Sequence, residues 1–253
     1  MILEKFSLKG KIALVTGSAG GLGAGMALAL AEAGADVALH DRDAVPESTR
    51  QRLSATGGNH IALVGDVSQA SVCSSLIEQV VEHFGTIDIL VNNAGIIRRA
   101  PAIEHSEEDW QEVIATNLSS VFRLTKHAGK HMLARGSGKV INIASLLVFQ
   151  GGILVPSYAA AKAGVGQLTK AFANEWAPRG VNVNAIAPGY MATNNTAPLR
   201  ANPERSRQVL ERIPAGRWGL PEDLAGAVVF LASSASDYVH GHILVVDGGW
   251  LAR

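Results

Sequence analysis

Seven short runs of β-branched and aliphatic residues recur along the chain, each followed by a stretch rich in alanine and other helix formers. In order they read KIALVTG, DVALHD, HIALVGDV, IDILVNNAG, GKVINIAS, VNVNAIAPG and HILVVDGG. Their apolar character is continuous, not alternating, so each strand is expected to be buried on both faces. Burial of that kind requires helices above and below. An unbroken βα alternation then makes the strands parallel. The expected architecture is α/β: one doubly wound parallel sheet of about seven strands with helices on both faces, a single domain over residues 1–253.

Helices are expected at 21–35, at 43–57, at 68–84 with Ser68 as N-cap, at 106–134 opening on Ser106, at 157–178, and within LPEDLAGAVVFLASSAS with Pro221 in its first turn. No linker, low-complexity segment or solenoid-type repeat interrupts the series. Hydrophobic residues make up 47% and charged residues 17%, ample for a large core and too apolar for disorder. The 22 basic and 22 acidic residues balance, which argues against nucleic acid as a partner. Cys73 is the only cysteine, which excludes an internal disulfide and a cysteine-based zinc site. The start, MILEKFSLKGK, is too polar for a secretory signal, and no apolar run approaches the roughly 18 residues of a membrane helix. A cytoplasmic protein with no membrane partner is expected. His127 and His131 have the i, i+4 spacing of a metalloprotease helix, but HAGKH lacks the glutamate such a site uses as general base, so no metal site is expected.

Ligands of such a sheet bind at the carboxyl ends of its strands. The first strand ends in VTGSAGGLG, with Gly17, Gly21 and Gly23 at spacings of four and two. Glycine there permits a sharp turn and close backbone approach to a pyrophosphate, whose charge rests on the following helix N-terminus. Gly17, Ser18, Gly21, Leu22 and Gly23 are therefore candidate cofactor residues of a Rossmann-type dinucleotide site. The second strand ends at Asp41, whose carboxylate suits the ribose hydroxyls of NAD and repels the 2′-phosphate of NADP. Arg42, next in sequence, could instead attract that phosphate, so NAD is favoured with NADP left open. Asp66 and Val67 end the third strand, near the expected adenine. Asn93, Ala94 and Gly95 end the fourth, where small residues let a flat ring lie against the backbone.

Tyr158 and Lys162 lie four residues apart in SYAAAKAGVGQLTKAFANEW, about 40° apart on one helix face. An ammonium one turn away favours the phenolate and is expected to lower the tyrosine pKa from about 10. Such a phenol can exchange a proton with an alcohol or ketone oxygen. Ser145, at the end of the fifth strand, can hold the same oxygen. Taken alone, the pair is equally an amphipathic tyrosine beside a solvated lysine.

A TGxxxGxG loop, then NNAG, a serine and YxxxK, in that order, resembles the short-chain dehydrogenase/reductase family from Lys11 to about Gly249. The resemblance implies that Tyr158 donates or accepts the proton, Lys162 assists it and holds a cofactor ribose hydroxyl, Ser145 orients the carbonyl, and Asn117 in ATNLSS completes a proton relay. It also implies that Pro188, Gly189 and Thr193 in PGYMAT contact the nicotinamide. Ala161 replaces the serine of the family's usual YxASK, which touches none of these roles. The family further implies a homotetramer, through helices 106–134 and 157–178 and through the C-terminal strand and tail, where Trp250 and Leu251 would gain from being covered. Within the family, NNAGIIRRAPA, NAIAPGYMATNNTAPLR and the last forty residues resemble members that oxidise a six-carbon deoxy-keto sugar acid in uronate breakdown. For such a substrate Arg98 and Arg99 are candidate carboxylate partners, the alternative being a solvated pair on a loop. Gln150, Tyr190, Asn194 and Asn195 could meet its hydroxyls. The rival readings are an NADPH-dependent 3-oxoacyl carrier-protein reductase, another polyol dehydrogenase, and a non-catalytic dinucleotide-binding regulator.

Overall fold

A computed structural model describes residues 1–253. The strands are β1 (Ile12–Thr16), β2 (Asp36–Asp41), β3 (His60–Val64), β4 (Ile89–Asn92), β5 (Gly138–Ile143), β6 (Val181–Pro188) and β7 (Ile243–Val246). The helices are α1 (Gly21–Glu32), α2 (Glu47–Ser54), α3 (Ala70–Phe84), α4 (Glu107–Ile114), α5 (Ser120–Arg135), α6 (Pro156–Trp176), α7 (Ala197–Ala201), α8 (Pro203–Arg212) and α9 (Ala225–Ala232). All seven strands form one sheet in the order β3-β2-β1-β4-β5-β6-β7, and every neighbouring pair is parallel. The order reverses between β1 and β4, and the crevice at that reversal is where such sheets hold ligands.

The continuous apolar runs are explained by two cores. Alternate residues of one strand point to opposite faces. Ala13, Val15, Val37, Leu39, Ile89 and Val91 pack with the buried side of α1 and with α9. Ile12, Leu14, Ala38, Leu90, Val140 and Val183 pack under α3, α5 and α6. Edge strand β3 departs from the expectation of two-sided burial: Ile61 and Leu63 pack inward, while Val64 remains 58% exposed.

Other departures are local. The helix expected at 106–134 is interrupted. Ser106 caps α4 by accepting from the Asp109 N–H at 3.1 Å, and a π-helical turn at Ala115–Ser119 then leads into α5. Ser68 is not a cap. Its N–H donates to the Asp66 carboxylate at 2.9 Å, and Gln69 occupies the cap position of α3. Pro221–Leu224 forms a 3-10 turn before α9, and α7 and α8 fill the segment between β6 and that turn. No helix is long and apolar enough to cross a membrane.

A buried chain of amides and hydroxyls ties the sheet to the helices that carry the site. The Asn92 side-chain amide donates to Thr125 Oγ1 on α5 at 3.0 Å and to Asn142 Oδ1 on β5 at 2.8 Å. The Asn142 amide donates to Thr169 Oγ1 on α6 at 2.9 Å, and that hydroxyl donates to the Val165 carbonyl at 2.8 Å. None of the four side-chain bearers is more than 2% exposed. Thr169→Val leaves the Asn142 amide unpaired, which costs about 1–3 kcal/mol for a buried donor. A fall in melting temperature of about 2–10 °C is expected, with Thr169→Ser close to wild type. Equal melting of the valine variant would show the chain to be energetically neutral.

Candidate active site

The end of β1 meets the start of α1 with almost no room for side chains. A Cβ at Gly23 would sit 2.1 Å from the Gly17 carbonyl oxygen, and one at Gly17 would sit 2.8 Å from Ala94 Cα. Gly17 also has φ +65°, a left-handed conformation that glycine adopts without strain. Asn93 stitches the turn together, donating to the Thr16 and Gly17 carbonyls at 2.8 Å each. The N-cap of α1 is Gly20, which offers no side-chain cap, so the first N–H groups of α1 face the adjoining cavity. That close-packed cradle and open helix end fit the pyrophosphate of a dinucleotide.

A cavity of about 910 Å³ runs along these strand ends. It is lined by Gly17, Gly21, Leu22 and Gly23, by Asp41 and Arg42, by Asp66 and Val67, and by Asn93, Ala94 and Gly95. Ser145, Tyr158 and Lys162 also line it, as do Pro188, Gly189, Thr193, Asn194 and Asn195. Ser18 does not. Its hydroxyl is fully buried, donating to the His40 carbonyl at 3.2 Å and accepting from the His40 N–H at 2.9 Å, so it fastens the loop to β2 instead of facing a ligand. Asp41 is held by two backbone N–H groups, from Ala19 at 2.9 Å and Arg42 at 2.8 Å. The Arg42 guanidinium lies 3.4 Å from Asp43 in an exposed pair. His40 is fixed by its Nε2, 2.9 Å from the Gly65 carbonyl, and burial pushes its pKa down, which favours the neutral ring.

Pro156 starts α6, Tyr158 stands in its first turn and Lys162 one turn on. Lys162 is 4% exposed, donates to the Ile143 carbonyl at 2.6 Å, and lies 5.7 Å from the centre of the Tyr158 ring. Burial pushes its ammonium down to about 8. The expected lowering of the phenol by this lysine is not what the structure shows. Burial raises the Tyr158 pKa, and the opposing influences are the Ser145 hydroxyl and the Arg99 charge. The reason is burial, which outweighs those two influences, while the Lys162 head donates to the end of β5. Asn117 sits in the π-helical turn with its amide paired to one residue: Oδ1 accepts from the Ile96 N–H and Nδ2 donates to the Ile96 carbonyl, both at 2.8 Å. Its side chain therefore clamps the exit of β4 and keeps one Nδ2 hydrogen beyond that clamp.

The candidate substrate residues divide. Arg98 forms a fork with Glu112, at 2.9 Å from Nε and from Nη2, and lies 3.3 Å from Asp109, so it has acidic partners already. Arg99 donates to the Asn195 carbonyl at 3.0 Å and lowers the Tyr158 pKa. Gln150 turns from the cavity and accepts from the Trp250 indole N–H at 3.2 Å. Tyr190 packs against Trp250 and Trp218, ring centres 4.5 and 5.8 Å apart, outside the cavity. Trp250 is only 5% exposed within this one chain, with the Arg212 guanidinium 4.0 Å above it, so it needs no second subunit to cover it. Sequence reasoning passed over Thr116, Met191 and Arg200 as cavity residues. Thr116 adjoins Asn117, and that adjacency was the available signal.

The dinucleotide cradle and the Tyr158–Lys162–Ser145 group thus share one cavity. Residues 17–251 match the family described as enoyl-(acyl carrier protein) reductase. The chain belongs to the short-chain dehydrogenase/reductase family, enzymes that use a nicotinamide dinucleotide. It is 56% identical to 2-dehydro-3-deoxy-D-gluconate 5-dehydrogenase of Escherichia coli K12 over the full length of both chains. It is 54% identical to the Bacillus subtilis 168 enzyme of the same name, covering 99% of this chain and 98% of that one. A crystal structure from Agrobacterium tumefaciens with bound NADP, provisionally assigned as a 2-deoxy-D-gluconate 3-dehydrogenase, superposes with a TM-score of 0.92. It is 56% identical and covers 98% of this chain and 99% of its own.

Below pH 8 Lys162 is charged in both the folded and the unfolded chain, and the folded state bears the whole desolvation cost, on the order of 3 kcal/mol. Between pH 8 and its ordinary 10.5 the folded protein releases the proton first, so this group adds stability as pH rises through that window. Lys162→Met is expected to raise the melting temperature at pH 7 and to flatten the gain between pH 8 and 10, while losing turnover. A methionine variant that melts below wild type at pH 7 would mean that the bond to Ile143 outweighs desolvation.

Proposed function

We propose that this chain interconverts an alcohol and a ketone of a deoxy-keto sugar acid, acting as a 2-dehydro-3-deoxy-D-gluconate 5-dehydrogenase in uronate breakdown. The observation that carries the reading is end-to-end identity of 54–56% with enzymes of that name, together with Tyr158, Lys162 and Ser145 lining the cavity of the dinucleotide cradle. A bound nicotinamide dinucleotide supplies the hydride donor or acceptor. Ser145 donates a hydrogen bond to the reacting oxygen. In reduction Tyr158 gives its phenolic proton to that oxygen, and in oxidation the phenolate takes the alcohol proton. Burial raises the Tyr158 pKa, so the phenol is protonated and ready for reduction, although giving up that proton is then harder. The Ser145 hydroxyl and the Arg99 charge favour the phenolate that donation leaves, and Lys162, one helical turn on, holds a cofactor ribose hydroxyl. Asn117 keeps the β4 exit in register with α6. Arg99 holds the substrate carboxylate, because it stands near Tyr158 and has no acidic partner, whereas Arg98 is paired.

NAD is the cofactor of this reading. Asp41, fixed by two N–H groups at the end of β2, lines the cavity, and a carboxylate at that strand end favours ribose hydroxyls over a 2′-phosphate, which supports this reading. The NADP in the Agrobacterium protein weighs on the other side. A cytoplasmic homotetramer completes the proposal. It is supported by a surface groove between α5 and α6, lined by Leu118, Phe122, Gly164 and Leu168, in which Phe122 is 44% exposed.

Tyr158→Phe is expected to lose at least about a hundredfold in kcat with NADH still bound, as befits loss of a general acid–base. Retention of a tenth of the wild-type rate overturns that role. Arg99→Ala is expected to raise KM for the acid about ten- to a hundredfold, with Arg98→Ala far milder. Wild-type kcat/KM should be higher with NAD than with NADP, and Asp41→Ser should narrow the gap. A wild type that prefers NADP defeats the cofactor assignment.

A further inference from the structure

Arg200 stands in α7, outside the glycine loop and the catalytic group, yet its side chain lines the same cavity. Its Nη2 donates to the Thr193 carbonyl at 3.1 Å. Thr193 in turn faces the start of α1, since its methyl carbon would lie 3.7 Å from a Cβ built on Gly21. The guanidinium is thus anchored to a residue that borders the start of α1, in the cavity that both line.

The charge around that end is short of cations. The stretch GSAGGLG has no charged side chain, and the first turn of α1 has none either. A helix N-terminus supplies about half a positive charge, whereas a pyrophosphate carries about two negative ones. Asp41 and Asp66 line the cavity and add to the deficit. Three cations line it. Arg42 lies beside Asp43, and Lys162 is buried against the Ile143 carbonyl. Arg200 has no carboxylate within ion-pair distance and uses one donor on a backbone carbonyl, which leaves the rest of its fork available. It is also the more remote of two arginines tethered to the 193–195 segment: Arg99 acts on the Tyr158 phenol and Arg200 does not.

We propose that Arg200 is a binding residue for the cofactor pyrophosphate, brought by α7 into the cavity that the α1 N-terminus lines. The proposal rests on the dinucleotide reading of the cavity and is independent of which sugar acid reacts. α7 packs chiefly against α8 and the 3-10 turn before it, so the cation rides on a peripheral segment whose docking the anion favours. The chain then holds the anion with backbone N–H groups and a guanidinium together.

The test is calorimetric titration with ADP-ribose, which carries the pyrophosphate and no nicotinamide, in parallel with NADH fluorescence titration. Arg200→Gln is expected to weaken both about tenfold at low salt, the lower end for a charged hydrogen bond at a partly open site. Arg200→Lys should recover much of the loss. The difference between wild type and Arg200→Gln should shrink as salt is raised to about 0.5 M, which a merely structural role would not do. KM for the acid at saturating cofactor should move less than about twofold. Equal ADP-ribose affinities in wild type and Arg200→Gln overturn the proposal, and so does a rise confined to KM for the acid, which would assign Arg200 to the substrate carboxylate. Wild-type protein that binds neither ADP-ribose nor NADH would defeat the dinucleotide reading itself, and this proposal with it.

Discussion

The buried relay Asn92–Asn142–Thr169, with Thr125 alongside, is the constraint on which the site depends. A parallel sheet offers its helices only apolar surface, and apolar contact alone lets a helix slide or rotate with little penalty. Directional bonds from β4 to α5 and from β5 to α6 remove that freedom. Because α6 carries Tyr158 and Lys162, its axial position decides whether the phenol meets Ser145 at the end of β5. The Lys162–Ile143 bond repeats the attachment at the catalytic end of the same helix.

One feature of the site runs against stability. Lys162 holds an ammonium in a place that burial makes unfavourable, beside a phenol that burial keeps neutral. Their partners are few: one carbonyl for the lysine, one serine and a neighbouring arginine for the tyrosine. Poorly compensated groups of this kind mark functional sites, because water would satisfy them better than the protein does. The rest of the cavity is compensated more fully, with Asp41, Asn117 and Asn93 each held by two hydrogen bonds.

What could be read from the sequence was what depends on local spacing. Seven apolar runs, the glycine loop and the i, i+4 pair Tyr158–Lys162 are each contained in a few consecutive residues, and all reappear in place. What could not be read depends on partners far along the chain. Nothing in RRAPA shows that Arg98 will fold back on Glu112, and nothing near Gln150 announces Trp250, a hundred residues on. Ser18 looks like a loop hydroxyl until β2 is laid beside it. The π-helical turn at Asn117 escaped because one extra residue in a helical turn leaves periodicity almost unchanged. Tyr190 was misplaced for a related reason: the strand end is correct, but a cluster of tryptophans turns the ring away from the cavity.

The contact between Gly23 and the Gly17 carbonyl has an evolutionary corollary. The cofactor wall is made of backbone set against backbone, and no other side chain fits at 23 without moving the loop. The opposite wall includes side chains such as Asn194, Asn195 and Arg200, where one arginine or asparagine can be exchanged without disturbing a strand. Sequence drift is therefore filtered very differently on the two sides of one cavity. Lineages descended from such a scaffold can trade one acid or alcohol for another while the nucleotide half stays almost frozen.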